Sequence, residues 1–519
     1  MKFIPKTGRE AGRFTLLETL GTGVAAVDLD HDGDVDLLFA GGGDIDAKSG
    51  EPTGNPPGLF LNDGTGHFTP AADRLVADEW PYSHGWAVAD HDRDGNVDAA
   101  LLGFEGTVLL RNDARQQLVN VSAPASIHSR TWDTSGVFVD ANHDGWMDLY
   151  VAAYVDFNPR TSTPCVRGTP PVTDICGPQR FAPQRDHLWL NNGDGTFTDA
   201  SEIAGLPDSG RGLGVMTADF NEDGLADVYV ANDGDPNQLF LGSDQFPWTD
   251  SAIAAGVANN EAGAAEGSMG LAWDDFDGNG HADLFVTNFE LEDNSLYSGL
   301  GNGVFRHATM SSGLAGQGRM DVRFGTGSID FNHDQWPDLF ALSGHVVYHS
   351  PRSPFRQKPA LYLNESGRRF RTVTDQGGDY FRDVHGGRGC AVADLNGDGS
   401  QDLIVVDLSD AVQILASAQP PQAWVNLALE TRGGDSDGVG ATVTISTQQR
   451  QIHWSPQRGA GFMSHSPCEW HGALPENEVV RATVSWPSRR VEEFPDLAAN
   501  RRHLLREGTG HALPPAVER

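Results

Sequence analysis

Cationic side chains are scarce in this chain. Thirty-six Lys and Arg stand against 72 Asp and Glu, a formal charge of −36. A surface of that sign repels phosphate backbones and anionic lipid, so nucleic acid is not an expected partner. Long apolar runs are missing as well. No stretch reaches the roughly eighteen apolar residues a membrane span needs, so none is expected. The start, "MKFIPKTGREAGRF", lacks the apolar core of a secretory signal. The expected location is therefore extracellular or periplasmic if a signal has been removed, and cytoplasmic if Met1 is native. Cysteine is nearly absent, at four residues, too few for a disulfide scaffold. No nucleophile elbow, phosphate loop, dinucleotide fingerprint or HExxH motif occurs. What is plentiful is Gly (62) and Pro (29), placed at turns, which favours many short strands over long helices.

The acidic charge is organised. "DLDHDGDVD" (28–36) recurs as "DHDRDGNVD" (90–98), "DANHDGWMD" (140–148), "DFNEDGLAD" (219–227), "DFDGNGHAD" (275–283), "DFNHDQWPD" (330–338) and "DLNGDGSQD" (394–402). The copies start 62, 50, 79, 56, 55 and 64 residues apart, a spacing that marks propeller blades or a similar array. Each has acid at position 1, Asp or Asn at 3 and 5, Gly at 6 (except the sixth copy) and Asp at 9. Calcium needs six to eight hard oxygens around a bend that favours Gly. Side chains at 1, 3, 5 and 9 with the carbonyl of 7 supply most of that shell. An EF-hand would need a carboxylate at position 12, where the first copy has Phe39, and flanking helices, where "VAAV" and "LLFA" read as strands.

The candidate calcium ligands follow copy by copy. The first offers Asp28, Asp30, Asp32, Asp34 and Asp36, and the second Asp90, Asp92, Asp94, Asn96 and Asp98. The third offers Asp140, Asn142, Asp144, Trp146 and Asp148, and the fourth Asp219, Asn221, Asp223, Leu225 and Asp227. The fifth offers Asp275, Asp277, Asn279, His281 and Asp283, and the seventh Asp394, Asn396, Asp398, Ser400 and Asp402. The sixth keeps Asp330, Asn332, Asp334 and Asp338 but has Gln335 for Gly and Pro337 at position 8, so it is expected to be weak or empty. About six structural calcium ions are the expected cofactor. The competing reading is a set of plain Asx/Gly turns. His31, His91, His143 and His333 fall at positions 2 or 4 and read as solvated.

A second phrase interleaves with the first. "LFLNDGTGHFT" (59–69), "LWLNNGDGTFT" (188–198), "LYSGLGNGVFR" (296–306) and "LYLNESGRRFR" (361–371) each read as strand, turn, strand. Each repeat thus holds about four strands, the content of a propeller blade. "GRFT" (12–15) matches the second half of that hairpin and "VQILAS" (412–417) the first. The expectation is an all-β fold: a seven-bladed β-propeller over 1–417, its N-terminal strand closing the last blade. A linker (418–423), a small β domain (424–507) and a mobile tail (508–519) follow.

"GVAAVDLDHDGDVDLLFA" and "LWLNNGDGTFTDAS" resemble FG-GAP/VCBS repeats, the blades of integrin-α-type propellers. "GVGATVTIS" (438–446), "GAGFMSHS" (459–466) and "VSWPS" (484–488) resemble the ASPIC/UnbV domain. Together they are similar to cartilage-acidic-protein-like proteins and their bacterial relatives over about residues 12–507. "EWHGAL" (469–474) departs from the aromatic-Gly-Leu-Gly run usual there. The resemblance implies a calcium-binding propeller that works as a non-enzymatic binding or adhesion module. The runner-up it allows is an enzyme of a specialised bacterial pathway.

Two further features stand out. Cys165 and Cys176 bracket a Pro-rich excursion in the longest interval, which suits a disulfide, with two free thiols as the alternative. The residues entering each strand before an acidic loop include His84, Trp132, Arg211, Met269, Arg323 and Arg388. They are expected to line one mouth of the channel and receive a small anionic or aromatic ligand, a glycan or a protein. Alternatively they line a wet channel and pair with Asp133, Asp321 and Asp383.

Overall fold

Each acidic loop joins a pair of neighbouring antiparallel strands, a first and a second, within its own sheet in the computed structural model, which describes residues 1–432, 437–474 and 478–513. The seven first strands are Val24–Val27, Tyr82–Ala89, Asp133–Val139, Gly212–Ala218, Leu271–Asp274, Arg323–Ile329 and Gly387–Ala393. Each lies beside the first strand of the next sheet, and the last lies beside the first, so the arrangement closes on itself. Gly389 makes that last approach possible, since a Cβ there would stand 2.6 Å from the Cα of Gly23.

Burial grades outward as in a radial array. In the second sheet, Tyr82–Ala89 and Asp98–Phe104 are buried at every position. Gly106–Asn112 mixes buried and partly open positions, and Leu118–Asn120 runs from buried Leu118 to exposed Asn120. The apolar runs before and after each acidic loop therefore reflect strands covered on both faces, and neighbouring sheets share cores such as Leu38, Trp86, Val88 and Leu101. No helix among the described residues is long and apolar enough to cross a membrane.

Closure differs from the expected one. Residues 12–15 form no strand, because Gly12 and Phe14 take left-handed conformations (φ 64° and 57°) that turn the chain into the 3-10 helix Leu16–Thr19. The seventh sheet keeps three strands. The N-terminus reaches it through Phe3, whose carbonyl accepts the Val412 N–H (3.0 Å) and whose ring packs on Phe39 and Phe60.

The second domain has a three-stranded sheet (Glu469–Leu474, Ala423–Glu430, Arg501–Arg506) and a five-stranded one. The five-stranded sheet ends in His511–Leu513, which pairs with Val491–Glu493. The tail expected to be mobile from 508 is thus held as an edge strand in its described part. Val425, Leu427, Val443, Ile445 and Val484 form the core between the sheets.

This domain is not merely appended. Residues 458–466 leave it and thread the channel of the ring. Arg458–Gly459 pairs with Met216 and Thr217, and Gly461 exchanges two backbone hydrogen bonds with Leu271 (2.8 and 2.9 Å). Trp86 N–H donates to Met463 O, and His465 bonds both Val24 and Ala26. First strands have a free edge toward the axis, and buried backbone groups left there without partners are costly. The plug satisfies many of them. Phe462 and Met463 are buried among Trp132, Leu213, Met269 and Phe324. The channel allowed for as the alternative is therefore filled by apolar side chains. Gly459 sits at φ 80°, and a Cβ there would stand 2.5 Å from Val215 O and from Val137 Cγ1.

Candidate metal sites and the axial mouth

The seven loops share one hydrogen-bond plan. The position-1 carboxylates, Asp28, Asp90, Asp140, Asp219, Asp275, Asp330 and Asp394, each accept the backbone N–H of position 6, at 2.8–3.1 Å. Positions 3 and 5 form successive Asx turns, such as Asp144 N–H to Asn142 and Trp146 N–H to Asp144. These turns gather the side chains. Ligand oxygens of Asp28, Asp30 and Asp32 lie within 4.8 Å of one another, as do those of Asp90, Asp92 and Asp94.

Position 9 has a further duty. Asp36, Asp98, Asp148, Asp227, Asp283, Asp338 and Asp402 are buried, and each takes the N–H of position 2 on one oxygen. The other oxygen takes an N–H at the far end of the sheet's third strand or just past it, such as Asn191 for Asp148 (2.7 Å) and Gly299 for Asp283 (2.8 Å). Position 9 thus clasps the loop to its sheet. The spacing pattern showed an acid there but not this second role.

The donor set fits a hard dication. Oδ1 of Asp28, Asp30 and Asp140 is buried without a hydrogen-bond partner, which is costly for a carboxylate unless a cation sits there. Burial pushes Asp36 and Asp219 up to about 7, and Asp148, Asp283 and Asp338 up to about 8. A bound calcium ion would offset that penalty. At position 7, Asp34, Asn96, Trp146, Leu225, His281 and Ser400 share no side-chain chemistry, which suits a backbone ligand. Asn142, Asn221, Asn279, Asn396 and the carboxylates Asp144, Asp223, Asp277 and Asp398 complete the turns at positions 3 and 5.

The sixth loop keeps the same plan despite its substitutions. Gln335 adopts φ 67°, and its side chain donates to Ala473 O (2.9 Å) while its carbonyl accepts from Arg450 (3.1 Å). Contacts to the second domain hold it in a conformation that otherwise favours Gly. Arg450 also stacks on Trp336 (3.5 Å). Asn332 and Asp334 pair as in the other loops.

His91 is not solvated as expected. It is buried, its Nδ1 contacts Asp98, and its ring stacks on Phe197 of the third sheet. The loops of the first, second and seventh sheets face a cavity of about 780 Å³ under the second domain, walled by Trp424, His465 and His471.

The expected ligand mouth does not form. His84 is fully buried, its Nδ1 2.8 Å from Gly21 O, and burial lowers its pKa to about 4. Trp132 packs edge-on against Phe104 and Tyr154. Arg211 pairs with Asp235 (2.5 Å), and Arg323 with Asp321 and Ser343 (both 2.9 Å). Arg388 is 0% exposed, donates to the carbonyls of Thr19, Gly344 and Gly387, and lies 3.8 Å over Phe324. Of the alternative pairings only that with Asp321 occurs among the described residues, since Asp133 serves Thr107 and Thr131. The plug below and Leu16, Leu17 and Leu20 above shut these side chains inside, where each must bond locally. Cys165 and Cys176 are joined in a disulfide beside that mouth.

The FG-GAP-like repeat family matches residues 90–151, 174–230, 219–286, 275–341 and 330–405, and the ASPIC and UnbV family matches 431–512. Cartilage acidic protein 1 of Mus musculus is 22% identical over 511 residues, covering 91% of this chain and 71% of its own length. That of Homo sapiens is 23% identical over 517 residues, covering 91% and 69%. Among solved structures, the BP39L lectin from Burkholderia pseudomallei aligns with a TM-score of 0.44 at 10% identity, covering 77% of this chain and 97% of that one. An Agrocybe aegerita lectin specific for non-reducing terminal N-acetylglucosamine aligns with 0.42 at 15%, covering 76% and 94%.

Proposed function

The chain belongs to the FG-GAP-like repeat family that ends in an ASPIC and UnbV domain, and from that premise we propose that it is a calcium-stabilised, seven-bladed propeller serving as a binding module. The observation that carries the calcium reading is the set of buried carboxylate oxygens at positions 1 and 3 with no hydrogen-bond partner. Calcium is structural in this reading. A site held at a hundred times its dissociation constant adds roughly 2.7 kcal/mol, so six add about 16, of the order of a domain's whole stability. The repeat array shared with the FG-GAP-like family is what supports a binding role. Glycans fit this role as partners because their hydroxyls both donate and accept.

Metal content and thermal unfolding before and after chelation test it. About six calcium ions per chain and a melt that collapses with chelator and recovers on adding calcium are expected. A metal-free protein whose melt ignores chelator would reduce the loops to turns.

A further inference from the structure

At the mouth farthest from the acidic loops, the ring's core opens into a cavity of about 270 Å³. Its apolar lining comes from elements distant in sequence. Leu16 and Leu20 descend from the N-terminal 3-10 turn, while Leu213 and Phe324 lie at the starts of two first strands and Met269 two residues before a third. An apolar cavity of about 150 Å³ holds benzene, so this one has room for one or two fused rings.

Two polar side chains meet on one wall. His345 is 1% exposed, and the Val347 N–H donates to its Nδ1 (3.0 Å). The proton of the neutral ring therefore sits on Nε2. Nε2 has no hydrogen-bond partner among the described residues. The nearest acceptor, Glu290 Oε2, stands 3.5 Å away, beyond a well-formed N–H···O bond. Glu290 is only 8% exposed and is anchored by Arg352 (3.2 Å), a half-exposed residue at the rim.

A hydroxyl oxygen about 2.8 Å from both atoms would accept from His345 Nε2–H and donate to Glu290. A carboxylate cannot donate and meets like charge on Glu290. An ammonium cannot accept. A bare hydrocarbon leaves Nε2–H unpaired. We propose that this cavity binds a small neutral molecule with an apolar body of one or two rings and a hydroxyl head seated between His345 and Glu290, a phenol or a cyclic alcohol. This rests on and deepens the binding-module reading but uses no residue of the acidic loops, so in folded protein either claim can fail alone.

The test offers 2-naphthol, naphthalene and 2-naphthoate separately to the calcium-loaded full chain, followed by ligand fluorescence and calorimetry. One equivalent of 2-naphthol is expected, held about tenfold or more tighter than naphthalene, with 2-naphthoate weakest. Met269→Trp should fill the cavity and abolish binding with the melt retained. Glu290→Gln removes the like charge and should let 2-naphthoate gain on 2-naphthol, and it decides the matter if Met269→Trp does not fold. Absence of 2-naphthol binding by folded protein, equal binding of all three probes, or an unchanged naphthoate-to-naphthol ratio in Glu290→Gln would each overturn the proposal.

Discussion

The two ends of the ring are built by different means. The loop face is one solution written seven times: the same carboxylate accepts the same N–H in every loop, even where Gln335 replaces Gly. The opposite mouth has no repeat. It is assembled from an N-terminal turn, a disulfide-closed excursion and residues 344–357, each used once. Repetition gives a face whose chemistry can be read from any copy. A mouth built from single-use segments is free to be shaped for one ligand.

Breaking the plug joins both ends and has the largest expected effect. Phe462→Ala should cost about 3–5 kcal/mol in urea unfolding, because Phe462 is fully buried between Phe324 and the channel wall. A loss below about 1 kcal/mol would mean the plug is dispensable packing. Next comes the clasp. Asp148→Ala strands the N–H groups of Ala141 and Asn191, for about 2–4 kcal/mol, and should also remove one calcium. Full stability with one calcium fewer would separate the two roles assigned to position 9.

A pH comparison sharpens the contrast further. Asp36, Asp148, Asp283 and Asp338 have folded values of about 7 to 8, above the ordinary carboxylate value of 3.8. A raised value means stability that is full below pH 4 and lost as pH climbs through 7–8. Metal-free protein should therefore melt higher at pH 5 than at pH 8.5. Calcium should erase or reverse that order, and a metal-free melt that rises toward pH 8.5 would contradict it. The smallest effect is expected from Arg450→Met. Removing a cation from beside Asp275 and Asp330 should raise calcium affinity a few-fold at the fifth and sixth loops only, as read by calcium titration.

Much of the loop face was legible because its determinants are local. An Asp-rich nonapeptide with one left-handed position makes the same turn wherever it occurs, and apolar runs on both sides announce strands buried on two faces. The double use of position 9 was not legible, since its second donor lies 14 to 43 residues away, as with Asn112 and Asn191. His91 looked solvated by position alone, and only the neighbouring sheet's Phe197 buries it. The Arg and His side chains at the strand starts take partners from segments with no repeat to predict them.

What the sequence by itself determined is the array: seven acidic turns, strands at blade spacing, a terminal β domain and a cation-hungry charge. Each depends on contacts within a few dozen residues. Only the tertiary structure decided that "RGAGFMSHS" fills the axis, and that the mouth shuts over its arginines while leaving a cavity beside His345. Those outcomes depend on which free backbone edges and apolar surfaces remain once the ring has closed, and residues hundreds of positions apart must satisfy them together.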